Sequence, residues 1–165
     1  MTLNSAFKKS IRDDWGTPQD FFDTLSAVFP FDVDLCADAT NAKCPFYFGE
    51  LDNALVKDWT PFNYCWMNPP YGSKTRKFMK KALEEYRRGA SIVTLIAGRP
   101  DTKVMQDICF PHARALCFIR GRLKFEGAKD PAFFPSALAI FAQQPLSPEQ
   151  IHTLAGLGRV VKAIC

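Results

Sequence analysis

The sequence predicts a single α/β domain over residues 1–165, with a mostly parallel sheet that ends in an antiparallel hairpin. Three observations support this prediction. The length of 165 residues suits one domain with a sizeable core. Strand-like apolar runs alternate with segments of helical periodicity, which is the pattern of parallel sheets. One run, residues 91–97, is almost continuously apolar and is typical of a strand buried on both faces.

The composition is that of an ordinary soluble globular protein. Hydrophobic residues make up 47% of the chain and charged residues 23%. The formal net charge of +4 permits a polyanionic partner without requiring one. No apolar run approaches the roughly 18 residues of a membrane span, and no apolar segment follows the charged N-terminus as in a signal peptide. We therefore expect a cytoplasmic protein.

The cysteines and histidines do not indicate a metal site. None of the six cysteines belongs to a Cys-x-x-Cys pair, and the only histidines are His112 and His152. In the cytoplasm the cysteines are expected to stay reduced. Those in strand-like runs are interpreted as small buried hydrophobic residues. We therefore expect no metal cofactor.

The N-terminal part predicts a tail followed by a helix. Residues 1–13 are polar and are expected to form a flexible tail. Thr17 is a suitable N-cap, Pro18 suits the first helical position, and apolar residues then recur at helical spacing until Pro30. Trp15, just before the cap, is placed to pack against this helix.

The first strand and the loop after it are predicted over residues 31–38, where apolar and acidic residues alternate. A carboxylate at the end of such a strand suits a cationic or hydroxyl-rich ligand, because ligands of open α/β sheets bind beyond the carboxyl ends of strands. No glycine-rich turn follows, which disfavours a dinucleotide site that cradles a pyrophosphate. Residues 41–61 are irregular, with a short strand and turn near 45–49.

The middle of the chain continues the alternation. Residues 64–67 predict a strand, and a helix follows from about residue 72 to a stop at Gly89. The buried strand over 91–97 comes next. Asp101 or Thr102 is then expected to cap a helix that reaches about residue 109.

The C-terminal part predicts the antiparallel hairpin. Residues 113–120 form a strand, and 123–125 can continue as one arm of a hairpin. Residues 126–136 form a loop with two prolines, and 137–143 form the last core strand. A short helix begins at Ser147, and the apolar residues after Gly158 are expected to pack back on the domain.

The sequence Asn68-Pro69-Pro70-Tyr71 ends the strand over 64–67 in a stiff corner. Consecutive prolines donate no backbone N–H and fix φ, so the strand must stop. The corner then offers an amide side chain, backbone carbonyls and one aromatic face. An amino group on a planar base can donate to the amide oxygen and a carbonyl while the ring stacks on the base. The alternative is a plain turn with a half-buried tyrosine.

The same four residues match the catalytic motif of amino-group DNA methyltransferases, which use S-adenosylmethionine (AdoMet). The wider chain resembles the phage-type DNA N6-adenine methyltransferase family. The matching segments occur in one order over most of the chain: 15–18, 32–37, 68–72, 99–102, 121–125 and 134–137. The resemblance implies a compact, Rossmann-like AdoMet-dependent methyltransferase fold with no separate target-recognition domain.

The resemblance also implies the roles of individual residues. The catalytic residues would be Asn68, Pro69, Pro70 and Tyr71. The resemblance implies that the N-terminal segment helps to close over AdoMet, and that an acidic residue within 41–61, Asp52 or Asp58, binds its ribose or adenine amino group. The AdoMet-binding candidates are Trp15, Thr17, Asp34, Cys36, Ala37, Asp52, Asp58 and Asn68. For Asp52 and Asp58 a simple turn or cap carboxylate is the alternative.

Double-stranded DNA is the expected partner. Polar and basic residues follow the corner, the strand over 91–97 and the strand over 113–120, and phenylalanines in the long loop can stack on bases. The candidates for DNA contact are Ser73, Lys74, Arg76, Arg99, Arg120, Arg122, Lys124, Lys129 and Phe134, with Phe133 as the other stacking candidate. The alternative is a surface loop pinned by two buried phenylalanines.

The predicted function is transfer of a methyl group from AdoMet to N6 of a flipped-out adenine in DNA, with strict or lax site specificity. Two alternatives remain at this stage. One is a methyltransferase that acts on another amino or amide group, such as an RNA base or a protein glutamine. The other is a non-catalytic phage DNA-binding module that has lost AdoMet binding.

Overall fold

The computed structural model describes residues 15–162, a mixed α/β fold around one seven-stranded sheet. The predicted flexible tail, residues 1–13, lies outside the described residues. The strands are β1 Phe31–Asp34, β2 Phe46–Tyr47, β3 Tyr64–Met67, β4 Ile92–Ala97, β5 Ala115–Ile119, β6 Ser136–Phe141 and β7 Gly158–Lys162. The helices are α1 Gln19–Ser26, α2 Thr75–Arg88, α3 Phe110–His112 and α4 Pro148–Leu157. Short turns are 3-10 at Ala54–Val56 and Gly72–Lys74 and π-helical at Met105–Cys109.

The sheet has the strand order β2-β1-β3-β4-β6-β5-β7. β1 pairs in parallel with β2 and β3, and β3 with β4, whereas β6 is antiparallel to β4 and β5. β5 therefore points the same way as β1 to β4, and these five strands have their carboxyl ends at one edge of the sheet, the carboxyl edge. The predicted fold, with a parallel part and antiparallel C-terminal strands, is confirmed.

The antiparallel part differs in detail from the prediction. Residues 123–125 form no strand; the hairpin arms are β5 and β6, and β6 inserts between β4 and β5. A further strand, β7, pairs with β5. At its start an added Cβ on Gly158 would lie 2.0 Å from the carbonyl oxygen of Phe118, so a residue without a side chain is required for this close pairing. The short run that follows is too mixed in polarity to be read as a strand from sequence.

Helix α1 begins later than predicted. No side chain caps it, and Pro18, with extended backbone, precedes its first residue, Gln19. The expected N-cap, Thr17, uses its hydroxyl differently, because the Asn68 amide donates to it. The apolar face is as predicted and buries Phe21, Phe22 and Leu25.

The other helix boundaries follow the predicted signals. Helix α2 ends at Gly89, which has a φ of 116° in the left-handed region. The hydroxyl of Thr102 accepts a hydrogen bond from the backbone N–H of Met105, 3.3 Å away, at the start of the helical segment before α3. Helix α4 starts with a reciprocal capping box between Ser147 and Gln150.

The sheet is buried on both faces, because alternate residues of its strands belong to two separate apolar clusters. Trp66 of β3 packs with residues of α1 and α4, whereas its neighbours Cys65 and Met67 pack with residues of α2 and the π-helical turn. Helices therefore cover both faces and leave the carboxyl edge accessible. None of the helices within residues 15–162 combines the length and apolar character needed to cross a membrane.

Candidate active site

A cleft of about 530 Å³ opens at the carboxyl edge, beyond the ends of β1 and β3. These strands are adjacent, with Asp34 opposite Trp66 in the ladder. Ligands of open α/β sheets bind at such positions, and small-molecule pockets span about 300–1,000 Å³. The cleft brings together six of the residues predicted to bind AdoMet: Trp15, Thr17, Asp34, Cys36, Ala37 and Asn68.

Asn68 follows β3 directly and is held by the segment that precedes α1. Its Nδ2 donates to the backbone carbonyl oxygen of Trp15 and to Thr17 Oγ1, the latter at 3.1 Å. Its Oδ1 is buried and accepts no hydrogen bond from residues 15–162. A buried polar atom left unpaired costs about 1–3 kcal/mol. The Asn68 amide is therefore held in one orientation, and its acceptor has no partner among residues 15–162.

Asp34 lies at the end of β1 and is 3% exposed. Its carboxylate accepts hydrogen bonds from the backbone N–H groups of Cys36, at 3.2 Å, and Lys43, at 3.1 Å. Burial raises the pKa of Asp34 to about 6, and the two N–H groups and the charge of Lys43 only partly oppose this rise. A positively charged or hydroxyl-bearing ligand beside Asp34 would favour its ionised form.

Comparison with known proteins assigns the family. The family described as DNA N-6-adenine-methyltransferase (Dam) matches residues 4–147. The chain belongs to this family. A DNA N-6-adenine-methyltransferase of Haemophilus phage HP1 (strain HP1c1) is 31% identical over 121 residues, 72% of this chain and 69% of that protein. The putative methyltransferase YfdM of Escherichia coli (strain K12) is 39% identical over 69 residues, 38% of this chain and 76% of that protein. The predicted family and enzyme class are confirmed: the protein is a DNA adenine methyltransferase.

Two acidic candidates of the methyltransferase do not line the cleft. Asp52 accepts a hydrogen bond from the backbone N–H of Gly49 at 2.8 Å, and Gly49 does line the cleft. Asp58 bonds to Thr60 and forms an ion pair with Arg88 at 3.4 Å. Asp52 is thus one residue removed from the cleft, and Asp58 serves a turn. Within residues 15–162 no group of three His, Cys, Asp or Glu side chains is arranged to hold a metal ion.

Unlike Asn68, Tyr71 does not line the cleft, and its ring packs among other aromatic side chains. Tyr71 is 8% exposed, and its ring centroid lies 5.0 Å from that of Phe134 and 5.9 Å from that of Phe125. Burial raises the pKa of its hydroxyl, which has no hydrogen-bond partner within residues 15–162. The ring does not line the cleft, so a base can stack on Tyr71 only if the groups that bury the ring move.

The two prolines of the corner have separate positions. Pro70 lines the cleft, whereas Pro69 is buried. The carbonyl oxygen of Pro70 accepts a hydrogen bond from the hydroxyl of Thr75 at 2.8 Å, which ties the corner to the first turn of α2. The corner is therefore held on both sides, by α2 behind it and by Thr17 in front of it.

Three cationic candidates for DNA contact lie at the carboxyl edge of the methyltransferase. Arg99 follows β4, and Arg120 and Arg122 follow β5, so all three lie beyond strands that point the same way. The exposed candidates are Ser73, Lys74, Arg76, Arg99, Arg120, Arg122, Lys124 and Lys129. Lys74 also lines the cleft, and Arg76 lies 3.9 Å from the carboxylate of Asp107.

The loop between β5 and β6, residues 120–135, corrects one candidate. Phe134 is only 5% exposed and packs against Tyr71, so it is not available to stack on a base in this structure. Its neighbour Phe133 is 73% exposed. Of the two stacking candidates, Phe133 is the one that faces solvent, and Phe134 and Phe125 anchor the loop.

Lys43 is a cleft residue that sequence reasoning did not single out. Its side chain is 5% exposed, and its Nζ donates to Glu126 Oε1 at 2.7 Å and Gln19 Oε1 at 2.9 Å. Glu126 also donates its backbone N–H to the carbonyl oxygen of Gly16 at 2.8 Å. These partners are far apart in the chain, so no local pattern announces them. Together they join the 120–135 loop to the N-terminal side of the cleft.

Proposed function

We propose that the cleft binds AdoMet and that Asn68 holds the N6 amino group of an adenine, flipped out of double-stranded DNA, for methyl transfer. The observation that carries this proposal is that Asn68 lines the cleft, has its amide orientation fixed and keeps a buried Oδ1 without a hydrogen-bond donor from residues 15–162. An amino group is the donor that such an acceptor lacks.

The residues of the cleft fit AdoMet. Asp34 offers a buried carboxylate to its ammonium or ribose hydroxyl groups, and Trp15 offers an aromatic surface beside the cleft. When bound, AdoMet would supply a sulfonium-activated methyl group. As N6 bonds to this carbon, the carbon–sulfur bond would break to leave a neutral thioether, and N6 would release one proton to solvent.

Asn68 would act on the geometry of the adenine amine. The lone pair of N6 is delocalised into the purine ring, which makes N6 a poor nucleophile. A hydrogen bond from N6 to Asn68 Oδ1, and a second to the carbonyl oxygen of Pro69, would favour a more tetrahedral nitrogen with a localised lone pair. Alignment of reacting groups can supply on the order of 7–11 kcal/mol of the barrier reduction.

DNA would reach this site with its adenine extruded, because N6 inside a duplex cannot approach Asn68. The cations around the carboxyl edge, such as Arg99, Arg120 and Arg122, are placed to contact phosphates on either side of the flipped base. Tyr71 would stack on the base after Phe125 or Phe134 moves aside. The phage origin of one relative supports a reaction in the cytoplasm of a bacterial host.

The test is Asn68→Ala. Loss of the acceptor should lower the single-turnover rate of methyl transfer by roughly 100-fold or more while AdoMet binding changes little, because the contact matters mainly in the transition state. The rate is measured with labelled AdoMet and an adenine-containing duplex, and the dissociation constant of AdoMet by calorimetry.

A matched control is Asn63→Ala. Asn63 is an exposed asparagine whose side chain bonds to Asp32 before β3, away from the cleft residues. It should leave both the rate and AdoMet binding unchanged. If Asn68→Ala turns over at the wild-type rate, the proposed role of Asn68 is wrong.

A further inference from the structure

We propose that Thr17 is a positioning residue, which keeps the Oδ1 of Asn68 turned toward the substrate. The inference rests on the proposed role of Asn68 and adds a second residue to it. Thr17 does not need to touch the adenine or the cofactor for this role. Its hydroxyl would act through the Asn68 amide alone.

The hydrogen bonds of the amide define its orientation. Nδ2 of Asn68 donates to the carbonyl oxygen of Trp15 and to Thr17 Oγ1. A backbone carbonyl oxygen can only accept, so the NH₂ end of the amide must face Trp15. The Oδ1 end then points away from both partners and stays buried without a hydrogen-bond donor from residues 15–162.

A reversed amide would be unproductive. It would present NH₂ to the incoming amino group, so that two donors face each other with no acceptor between them. It would also bring Oδ1 against the carbonyl oxygen of Trp15. The hydroxyl of Thr17 provides the second acceptor that holds the NH₂ end in place, and without it Nδ2 has one anchor instead of two.

The hydroxyl of Thr17 is available for this role because the helix does not use it. The sequence predicts Thr17 as the N-cap of α1, yet α1 starts at Gln19 and has no side-chain cap. Thr17 is 3% exposed, so its hydroxyl has little access to bulk water as an alternative partner. Thr17 is a buried threonine with no capping role, and its hydroxyl, 3.1 Å from Nδ2 of Asn68, is satisfied by that contact.

The segment that carries Thr17 is itself fixed in place. Gly16 forms a β-bridge with Glu126, and an added Cβ on Gly16 would meet the Glu126 side chain at 3.1 Å. The rings of Trp15 and Phe125 have centroids 5.6 Å apart. The anchors of Asn68 are thus attached to the 120–135 loop, and their position does not depend on Asn68.

The experiment compares Thr17→Val and Thr17→Ser with wild type. Valine keeps the shape of threonine and removes the acceptor, whereas serine keeps the acceptor and removes a methyl group. We measure the single-turnover rate at saturating AdoMet and duplex DNA, the dissociation constant of AdoMet, and the thermal unfolding midpoint. Thr17→Ala replaces Thr17→Val in the comparison with serine if the valine variant does not fold.

The expected result is a rate reduced roughly 10- to 100-fold in Thr17→Val, the size of effect that misplacement of a reacting group produces. Thr17→Ser should stay within about threefold of wild type, since it retains the hydrogen bond. AdoMet binding should be nearly the same in all three proteins. A merely structural role would lower the thermal midpoint without this split between rate and binding.

Two results would overturn the inference. One is a wild-type rate in Thr17→Val. The other is a weakened AdoMet affinity in Thr17→Val with no change in rate at saturation, which would make Thr17 a cofactor ligand. A different result would show that the proposed role of Asn68 itself is wrong. In that case Asn68→Ala would keep the wild-type rate, whatever the rates of the Thr17 variants.

Discussion

At the scale of single residues, some buried polar atoms of the site have hydrogen-bond partners within residues 15–162 and others have none. The side-chain NH₂ group of Asn68 donates two hydrogen bonds, whereas its oxygen accepts none from this part of the chain. Tyr71 has a buried hydroxyl without a hydrogen-bond partner among the same residues. Unpaired buried atoms are uncommon in folded proteins because they are destabilising. Within residues 15–162 five buried side-chain atoms lack a partner, and two of them lie at the two ends of this four-residue motif.

The hydroxyl of Tyr71 gives a stability prediction. Because the hydroxyl is buried and unpaired, Tyr71→Phe should keep or raise the free energy of unfolding, within about 1 kcal/mol. Tyr71→Ala should lower it by about 3–5 kcal/mol, since it empties a site packed by Phe125 and Phe134. Urea denaturation measures both. A loss above about 1 kcal/mol in Tyr71→Phe would show that the hydroxyl has a partner.

A matched control for that series is Tyr86→Phe. The hydroxyl of Tyr86 donates to the carbonyl oxygen of Ala142, at 3.5 Å, so its removal should be mildly destabilising. In activity assays Tyr71→Phe should remain close to wild type, because stacking uses the ring and not the hydroxyl. The activity of Tyr71→Ala must be measured under conditions in which this less stable variant is still folded.

Asp34 predicts a pH dependence of stability. Its folded-state pKa of about 6 is above the ordinary 3.8, because burial disfavours the charge. The folded protein therefore binds this proton more tightly than the unfolded chain, and the stability that results is fully present below about pH 4 and lost as the pH rises through about 6. The difference is at most about 3 kcal/mol.

The measurement is urea denaturation of wild type and Asp34→Asn between pH 4 and pH 7. The stability of wild type should fall relative to Asp34→Asn as the pH rises, since asparagine has no proton to lose. Asp101→Asn, which removes an exposed carboxylate, should run parallel to wild type. Parallel curves for wild type and Asp34→Asn would contradict the raised pKa of Asp34.

At the scale of elements, the 120–135 loop is part of the site rather than a detached surface loop. Glu126 bridges to Gly16 through the backbone and to Lys43 through its carboxylate, and Phe125 and Phe134 pack on the corner. The loop thus contacts the N-terminal segment, the loop after β1 and the corner after β3.

The Lys43–Glu126 pair can be tested directly. Lys43 is 5% exposed and Glu126 40%, so the pair is partly screened by solvent. Lys43→Met should lower the free energy of unfolding by about 1–3 kcal/mol, the range for hydrogen bonds to charged groups. Adding Glu126→Gln to Lys43→Met should lower it little further, because the partner is already gone.

The control for this pair is Lys124→Met, which removes an exposed lysine of the same loop. It should leave the urea midpoint within experimental error of wild type. Fully additive losses in the Lys43 and Glu126 double variant would mean that the two side chains contribute independently. The loop would then be attached by its aromatic residues and by the backbone bridge between Glu126 and Gly16.

At the scale of the whole molecule, parallel strands collect the site from distant parts of the chain. Asp34 and Asn68 meet because β1 and β3 are adjacent and parallel, and Arg99 and Arg120 lie beyond strands of the same direction. This arrangement was predictable from the alternation of strands and helices, and so was the corner after β3. Prolines, apolar runs and helix caps are local sequence signals, and these signals are sufficient to predict the fold class.

The details that depend on tertiary contacts were not predictable. Thr17 and Asn68 are 51 positions apart and Lys43 and Glu126 are 83 apart, and nothing in either local sequence indicates the other. The choice between Phe133 and Phe134 as the buried residue was equally open, because both precede Pro135 in the same loop. The conformation of the 120–135 loop depends on the residues it packs against. Its sequence therefore shows neither the helical nor the strand periodicity from which a conformation could be predicted.

The basic residues at the carboxyl edge predict that the affinity for DNA depends on salt concentration. Arg120→Gln and Arg122→Gln should each weaken duplex binding and reduce the slope of log K against log salt by about 0.9 if each contacts one phosphate. Fluorescence anisotropy of a labelled duplex at several salt concentrations measures this slope. Arg87→Gln, in the last turn of α2, should leave it unchanged. Unchanged slopes in both carboxyl-edge variants would place the DNA elsewhere.

The most direct test is a crystal structure of the protein with duplex DNA and a methyl-donor analogue that cannot react. We expect a flipped adenine whose N6 lies about 2.7–3.2 Å from Asn68 Oδ1, with Nδ2 still bonded to Trp15 and Thr17. An adenine amine bound beyond hydrogen-bonding distance of Asn68, or one that meets the NH₂ end of its amide, would show that the proposed role of Asn68 is wrong.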